Sequence, residues 1–432
     1  MRSSSRSGLF LYNTLRIRPF TFMHTRGVSM QHHRKKHLVA VIGAGGLIGP
    51  AITLDLARFP DILVLAVDCS AENLRKLHGK KASIICRHRD ATDPDLVASI
   101  AAEADLAITA LPGSCALDVL RVFARNSVDV IDVSFFDETD TKKLRELDDL
   151  ARAHDARCFI DCGVAPGMSN IILGNAVSTY QYVHSFTCAV GGLPVERIKP
   201  WEYKAPFAPD SVIDEYLRPA RFRRDGRNMS APPLAELEHM TFSGIGTLEA
   251  FNTDGLRTLL RSYPPARVWN MVEKTLRYPG HASKIMELKR RGKFDKNRIA
   301  RTSEELKNQW ELTEEDDEFT VMRIKLDVFR ELPVVLPANP RIQNLPRQRI
   351  VWEMMDRRDP EDRMSSMART TGFTASGIAR YYLDNNLRKY PGGVYAPERL
   401  GENQAFFRHI MEYMRQRGIV YKRIIRHETG DA

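Results

Sequence analysis

Residues 37–52 read HLVAVIGAGGLIGPAI, and this stretch decides the fold. A run of strand-forming residues ends at Ile42, a glycine-rich turn follows, and a helix pattern begins near Pro50. The glycines stand at positions 43, 45, 46 and 49. Their missing side chains let backbone N–H groups approach a pyrophosphate at the start of the helix. The spacing is one residue longer than the usual Gly-x-Gly-x-x-Gly fingerprint, and it equally fits Gly-x-x-Gly-x-x-Gly.

Apolar strands alternate with amphipathic helix patterns from this turn as far as Gly163. The predicted strands are residues 37–45, 61–68, 82–90, 104–112, 128–135 and 156–163. Near-continuous apolar strands separated by helices are typical of a parallel sheet that helices cover on both faces. We therefore predict an α/β fold with a doubly wound (Rossmann) parallel sheet, the dinucleotide-binding domain, over residues 37–163.

The alternation stops after residue 163. Strand-like segments at 184–195, 318–329 and 348–356 are separated by long aromatic-rich loops, and helix patterns follow at 364–388 and 404–417. This arrangement predicts a second, α+β domain over residues 164–360 and a helical C-terminal segment over residues 361–432.

The charge of the chain is concentrated at its start. Residues 1–36 carry eight Lys and Arg and no acid, which leaves +2 of the net +10 for residues 37–432. Binding to nucleic acid needs clustered surplus positive charge, so we expect no nucleic-acid partner. The Arg- and Ser-rich leader is typical of a mitochondrial transit peptide. A disordered basic tail or a misassigned start codon is the alternative, and the expected location is the mitochondrial matrix, or else the cytoplasm.

The cysteines and the apolar segments predict neither a metal site nor a membrane span. Six cysteines show no CxxC pair and no histidine at zinc spacing, and the pattern suits a reducing compartment. The longest uncharged span, residues 162–195, is broken by proline and polar residues and ends in Gly-Gly-Leu-Pro. We therefore expect a chain without metal or membrane partner.

The second strand ends in Asp68, at the distance where an acid binds a ribose 2′-hydroxyl and repels a 2′-phosphate. We therefore predict NAD as the cofactor, with NADP possible because Ser70 and Arg75 can make room for a phosphate. In such sheets ligands bind beyond the carboxyl ends of the strands. The predicted cofactor-binding residues are Gly43, Ala44, Gly45, Gly46, Leu47, Ile48, Gly49, Asp68, Asp90, Ala110, Leu111, Pro112, Gly163 and Val164.

Several motifs follow the glycine-rich turn in a fixed order: DCGVAPGMSNI, VGGLPV, WEYK, GTLEAFNTDGLRTL, KTLRYPGH and SSMARTTGFTASGIA. Over residues 37–425 the chain resembles the saccharopine dehydrogenase-like oxidoreductases, which include the L-lysine 6-dehydrogenases. The GVAPGM form is closer to the lysine 6-dehydrogenase branch. The leader and the extra length at 285–345 depart from the bacterial lysine enzymes.

This resemblance implies hydride transfer from a carbon that bears an amine to a nicotinamide. It also implies that the middle domain carries substrate residues and a homodimer interface, and that the last helices return to the first domain. The substrate that the resemblance implies is an amino acid: lysine, saccharopine or a related one. The alternative is a non-catalytic dinucleotide-binding scaffold or sensor of the same fold.

Removing hydride from a C–N carbon requires a neutral amine, so a base must first take its proton. We expect this chemistry from three clusters of the middle domain: WEYK at 201–204, NTDG at 252–255 and RYPGH at 277–281. Arg277 is expected to bind a carboxylate with its planar guanidinium. The predicted catalytic residues are Glu202, Tyr203, Lys204, Asp254, Arg277 and His281.

The stretch DCGVAPGMSN, residues 161–170, predicts a strand end, a tight turn and a helix start. We expect this turn to form a wall of the active site, where the helix start offers its positive end to a carboxylate. Asp161 is expected to hold the turn in place. The predicted substrate-binding residues are Phe135, Asp137, Pro166, Gly167, Met168, Tyr216, Arg218 and Thr253.

Overall fold

The computed structural model describes residues 36–137, 141–207, 209–330 and 347–428. The predicted leader lies outside these residues, apart from Lys36. Residues 36–432 form one compact unit. Within the described residues, no helix is both long enough and apolar enough to cross a membrane.

The elements follow in chain order. The strands are β1 (His37–Ile42), β2 (Ile62–Asp68), β3 (Ile84–His88), β4 (Leu106–Thr109), β5 (Val130–Asp132), β6 (Arg157–Phe159), β7 (Tyr182–Pro194), β8 (Ala220–Arg224), β9 (Arg227–Ala231), β10 (Glu238–Phe242), β11 (Gly246–Asn252), β12 (Val268–Arg277), β13 (Glu318–Phe329), β14 (Arg347–Arg357), β15 (Gly393–Tyr395) and β16 (Lys422–Glu428). The helices are α1 (Gly49–Leu56), α2 (Ala71–Arg75), α3 (Pro94–Ala101), α4 (Gly113–Arg125), α5 (Thr141–Ala153), α6 (Met168–Thr179), α7 (Pro209–Leu217), α8 (Leu259–Ser262), α9 (His281–Arg290), α10 (Ile299–Gln309), α11 (Ser366–Asn385), α12 (Pro397–Gly401) and α13 (Gln404–Arg415).

The first sheet is parallel throughout, in the order β15-β6-β5-β4-β1-β2-β3. Alternate residues of β1 enter two different cores. Val39 and Val41 pack with α1 and α11, while Ala40 and Ile42 pack with α3 and α4 on the other face. Burial on both faces explains why these strands read as continuous apolar runs. The predicted doubly wound α/β fold is confirmed, and the order reverses between β1 and β4, where such sheets bind ligands.

The second sheet is mixed, in the order β10-β11-β12-β7-β13-β14-β16, with the β8–β9 hairpin paired to β12. Strands β12 and β7 are parallel, and the other pairings are antiparallel. Alternate residues of β13, such as Ile324 and Leu326, enter the same core as Val39 and α11. A continuous apolar core therefore fixes the second sheet against one face of the first.

The C-terminal segment returns to the first domain, as predicted, and it also completes the second sheet. Strand β15 pairs with β6 at the edge of the first sheet, and β16 pairs with β14. Helix α11 crosses α1 so closely that a Cβ added at Gly372 would lie 2.8 Å from the Cβ of Ala51. The Tyr413 hydroxyl donates to Asp55 of α1 at 2.7 Å, and the Arg417 guanidinium binds the same carboxylate at 2.8 Å.

Candidate active site

A cavity of about 350 Å³ lies where the carboxyl ends of the first sheet face the second sheet. The first domain contributes the turns after β1, β4, β5 and β6, and the second contributes α7, the turn after β11 and one face of β12. Predicted residues at the cavity are Gly46, Leu47, Ile48, Ala110, Leu111, Pro112, Gly163, Val164, Phe135, Pro166, Arg218, Thr253, Asp254 and Arg277. The fold thus brings some of the predicted cofactor-binding, catalytic and substrate-binding residues together around one cavity.

The glycine-rich turn after β1 is shaped by close backbone approaches. Gly43 has φ +81°, and a Cβ added at Gly49 would lie 2.0 Å from the Gly43 carbonyl oxygen. Asp68, at the end of β2, accepts from the Gly45 N–H through Oδ2 and from the Ser70 N–H through Oδ1, both at 2.8 Å. This closely packed, glycine-rich turn fits the pyrophosphate of a dinucleotide, with Asp68 beside the expected ribose.

The turn after β6 is fixed by a buried ion pair. Asp161 has φ +58°, and its Oδ1 accepts from Nε of Arg257 at 2.8 Å, while Nη2 of Arg257 lies 2.8 Å from the same oxygen as an ion pair. Arg257 follows the NTDG turn of the second domain, and its Nη1 donates to the Phe136 carbonyl oxygen at 2.8 Å. The two buried side chains therefore hold the end of the first sheet against the substrate side. They place Gly163 and Val164 at the cavity wall.

Gly167 closes the same turn. Its φ is +133°, and a Cβ added there would lie 1.8 Å from the Gly163 carbonyl oxygen. The Gly167 N–H donates to the Asn170 side-chain oxygen at 3.2 Å, and the Asn170 amide in turn donates to the buried carboxylate of Glu398 at 3.0 Å. Gly163 and Gly167 therefore permit a tight turn, and Asn170 at the start of α6 stabilises it through a hydrogen bond.

Arg277 reaches the cavity from a buried aromatic cluster. Its Nε donates to the Tyr216 hydroxyl at 2.8 Å and its Nη2 to the Tyr203 hydroxyl at 3.3 Å, and Nη2 lies 3.7 Å from Glu215. His281 shares the Tyr216 hydroxyl at 3.0 Å. Burial, together with the Arg277 charge, lowers the pKa of His281 to about 3. The ring is therefore neutral and supports the tyrosines that orient Arg277.

Arg218 is the second guanidinium of the cavity. Its carbon Cζ lies 4.9 Å from the centre of the Phe135 ring, and its Nε lies 3.9 Å from Asp254 Oδ2. Within the described residues, this buried Nε has no hydrogen-bond partner. Asp254 itself accepts from Nε and Nη2 of Arg221, at 2.7 and 2.9 Å. Arg218 therefore retains a donor for an anionic ligand, whereas Asp254 is already neutralised.

Two carboxyl groups of the cavity, the buried Glu273 and the partly buried Glu215, escaped the sequence analysis. Burial raises the pKa of Glu273 to about 8, and burial also raises the pKa of Glu215. Glu273, Thr275 and Arg277 are alternate residues of β12 and face the cavity together. Because strand side chains alternate between faces, polar residues at every second position of an apolar strand are the signal that finds them.

Comparison with known proteins agrees with this geometry. Residues 39–158 match the saccharopine dehydrogenase NADP binding domain, and residues 163–419 match the saccharopine dehydrogenase C-terminal domain. The chain belongs to the saccharopine dehydrogenase family. The family's first domain binds NADP, so the prediction of a nicotinamide dinucleotide cofactor is confirmed at the level of NAD(P).

Two yeast matches illustrate the relationship to the saccharopine dehydrogenase family. Saccharopine dehydrogenase [NADP(+), L-glutamate-forming] of Saccharomyces cerevisiae is 26% identical over 202 residues, which are 44% of this chain. The match spans 42% of the length of that relative. The solved apo structure of the histidine-tagged L-Glu-forming enzyme from the same yeast superimposes with a TM-score of 0.70 at 17% identity, over 90% of this chain and 100% of that one. This superposition shows the shared fold.

The structure places the other predicted residues of this family member away from the cavity wall. Gly43, Ala44, Gly45, Gly49 and Asp68 form the turn beside it, while Tyr203, Tyr216 and His281 lie behind Arg277. Asp90, Asp137, Gly167, Met168, Glu202 and Lys204 do not line it.

Local contacts account for several of these positions. Asp90 accepts from the N–H and hydroxyl of Thr92 in an exposed turn, and Met168 is buried in the core. Glu202 binds Arg197 at 2.8 Å, and Lys204 donates to the Glu311 carbonyl oxygen at 2.7 Å. Neighbours in a loop face different directions, so of the WEYK acid, phenol and amine only the Tyr203 phenol contacts a cavity residue.

Proposed function

We propose that this member of the saccharopine dehydrogenase family is an NAD(P)-dependent oxidoreductase that acts on the C–N bond of an amino acid. One observation carries the proposal: the wall that would hold the nicotinamide end of the cofactor and the wall with Arg218, Arg277 and two carboxyl groups enclose the same cavity. A bound nicotinamide dinucleotide supplies the acceptor for a hydride from the carbon that bears nitrogen.

The positively and negatively charged groups of the cavity are suited to different parts of an amino acid. Arg218, with its unpartnered Nε, is placed to bind a substrate carboxylate, and Arg277 stands beside it with its orientation fixed by two tyrosines. The two carboxyl groups are placed to receive the amine and its proton. The product is an imine that water hydrolyses or that cyclises.

Lysine and saccharopine are the two substrates to compare. The name of the yeast relative supports saccharopine, which needs several cationic groups for its carboxylates. Among the arginines near residues 218–227 only Arg218 lines the cavity, because Arg221 binds Asp254 and Arg223 donates to three backbone carbonyl oxygens. Two guanidinium groups in the cavity support a substrate with fewer carboxylates, such as lysine.

The test is the appearance of reduced nicotinamide when the full chain is mixed with NAD or NADP and with lysine or saccharopine separately. Turnover with one amino acid identifies the substrate. Tight binding of NADH, with no turnover of either amino acid or of close amino-acid analogues, would instead support the non-catalytic scaffold.

We also propose a homodimer in the mitochondrial matrix. The dimer rests on the family resemblance, and the location rests on the Arg- and Ser-rich composition of residues 1–36. Light scattering at increasing protein concentration measures the molar mass and so tests the homodimer. Cell fractionation followed by N-terminal sequencing of the mature protein tests the location, since import would remove about thirty residues.

A further inference from the structure

Glu273 differs from the other carboxyl groups of the cavity in its partners. Asp254 binds Arg221, and Glu215 lies 3.7 Å from Arg277. Within the described residues no cation forms an ion pair with Glu273, although the residue is only 5% exposed and lines the cavity. A buried carboxylate without a cation is costly, so an ionised Glu273 needs a positive group that a bound ligand can bring.

Short hydrogen bonds hold the Glu273 carboxylate in place. The Thr253 hydroxyl donates to its Oε2 at 2.6 Å and lies 2.8 Å from the Thr275 hydroxyl, so Thr275 can donate in turn to Thr253. Gly255 allows the NTDG turn to approach, because a Cβ added there would lie 2.5 Å from Glu273 Cδ. The side chain is thus oriented by neutral donors alone, and the charge that it gains on ionisation can pair with a cationic ligand.

We propose that Glu273 is the catalytic base that takes a proton from the substrate ammonium, with Thr253 and Thr275 as positioning residues. This inference rests on the proposed function. In the step, one N–H bond breaks and its proton passes to the Glu273 carboxylate. The C–H bond then breaks with its electron pair leaving as hydride to the nicotinamide, and the nitrogen lone pair forms the C=N bond.

The groups around Glu273 determine the pH range in which its side chain is ionised and can accept a proton. Burial raises its pKa, the donors from Thr253 and Gly255 lower it, and the charges of Glu215 and Asp254 raise it, with a net value of about 8. Arg218 and Arg277 line the same cavity, and the buried Cys188 thiol lies on the neighbouring strand β7. In the free protein at pH 7 the protonated form of Glu273 is therefore favoured.

This state predicts a measurable proton release. An arriving ammonium favours the ionised carboxylate, so binding displaces the proton of Glu273. We would saturate the full chain with NADH, which prevents turnover, and titrate lysine or saccharopine by calorimetry in buffers of different ionisation enthalpy. The release should be large at pH 7 and small at pH 9, as a pKa near 8 requires.

The decisive variant is Glu273→Gln, which keeps the shape of the side chain and removes its charge. Binding should persist, proton release should vanish, and kcat should fall by roughly 10²–10⁴-fold. Glu318→Gln is the matched control. Glu318 is equally buried, burial raises its pKa, and it accepts from the Ser366 hydroxyl outside the cavity. This control should retain the wild-type proton release.

Three outcomes distinguish a failure of the Glu273 inference from a failure of the proposed oxidoreductase function. Unchanged proton release in Glu273→Gln overturns the role of Glu273 while leaving the oxidoreductase intact. Loss of release in Glu215→Gln with normal release in Glu273→Gln assigns the base to Glu215, and it overturns the inference too. If neither amino acid binds the NADH-saturated protein or is turned over, the proposed function itself fails and the inference falls with it.

Discussion

Replacing Arg257 with methionine tests whether the buried Asp161–Arg257 pair fixes the active-site turn. Arg257 and Asp161 are 1% and 0% exposed, so neither charge can be recovered by water when its partner is lost. Removing one partner of a buried ion pair typically costs about 3–5 kcal/mol of stability. We expect this loss for Arg257→Met and a similar loss for Asp161→Asn, which tolerates the positive φ of residue 161.

The double variant D161N/R257M distinguishes pairing from simple packing. Because neither charge then remains, its cost should lie well below the sum of the two single costs, with a coupling of about 2–3 kcal/mol. The assay is the urea midpoint followed by circular dichroism, compared at unchanged slope. Arg349→Met removes a half-exposed partner of Asp327 and serves as the control, which should move the midpoint little. Strictly additive costs, or a single cost near that of the control, would refute the reasoning.

Further variants address the cofactor and the substrate. Gly49→Ala should abolish NADH binding measured by fluorescence, because its Cβ would overlap the Gly43 carbonyl oxygen at 2.0 Å; wild-type affinity would contradict the assignment of this turn to the pyrophosphate. Asp68→Ser should raise the affinity for NADPH relative to NADH by about tenfold, since a carboxylate repels the 2′-phosphate. An unchanged ratio would remove Asp68 from cofactor selection. Arg218→Met should raise KM for the amino acid by roughly 10–100-fold without changing NADH binding. Weaker NADH binding instead would place Arg218 at the cofactor.

The six strands of the first domain could be predicted because strands that are buried on both faces appear in the sequence as continuous apolar runs. The seventh strand, β15, could not. It has only three residues, too few for an apolar pattern, and its partner β6 lies more than 200 residues earlier in the chain. The cofactor turn was predictable for the same local reason, since its glycines follow a strand directly.

The substrate side was less predictable because its residues come together across the chain. Arg277 and Asp254 were found from motifs, but Glu273 was missed because β12 was not recognised as a strand. Its polar residues 273, 275 and 277 face a cavity, and Lys274 interrupts the apolar positions of the other face, so the apolar alternation that marks most half-buried strands is broken. Glu202 and Lys204 were chosen for their closeness to Tyr203 in sequence, which says nothing about the direction of loop side chains.

The C-terminal segment has a consequence for biosynthesis. Strand β15 closes one edge of the first sheet and β16 closes one edge of the second, so neither sheet is complete until residues 393–428 have left the ribosome. At a synthesis rate of roughly 5–20 residues per second, the nascent chain carries two open sheet edges for many seconds. Open edges are where chains pair wrongly with one another. The last pairings of both sheets therefore form only after these late segments have been made, which gives chaperones time to bind the uncovered edges of β6 and β14.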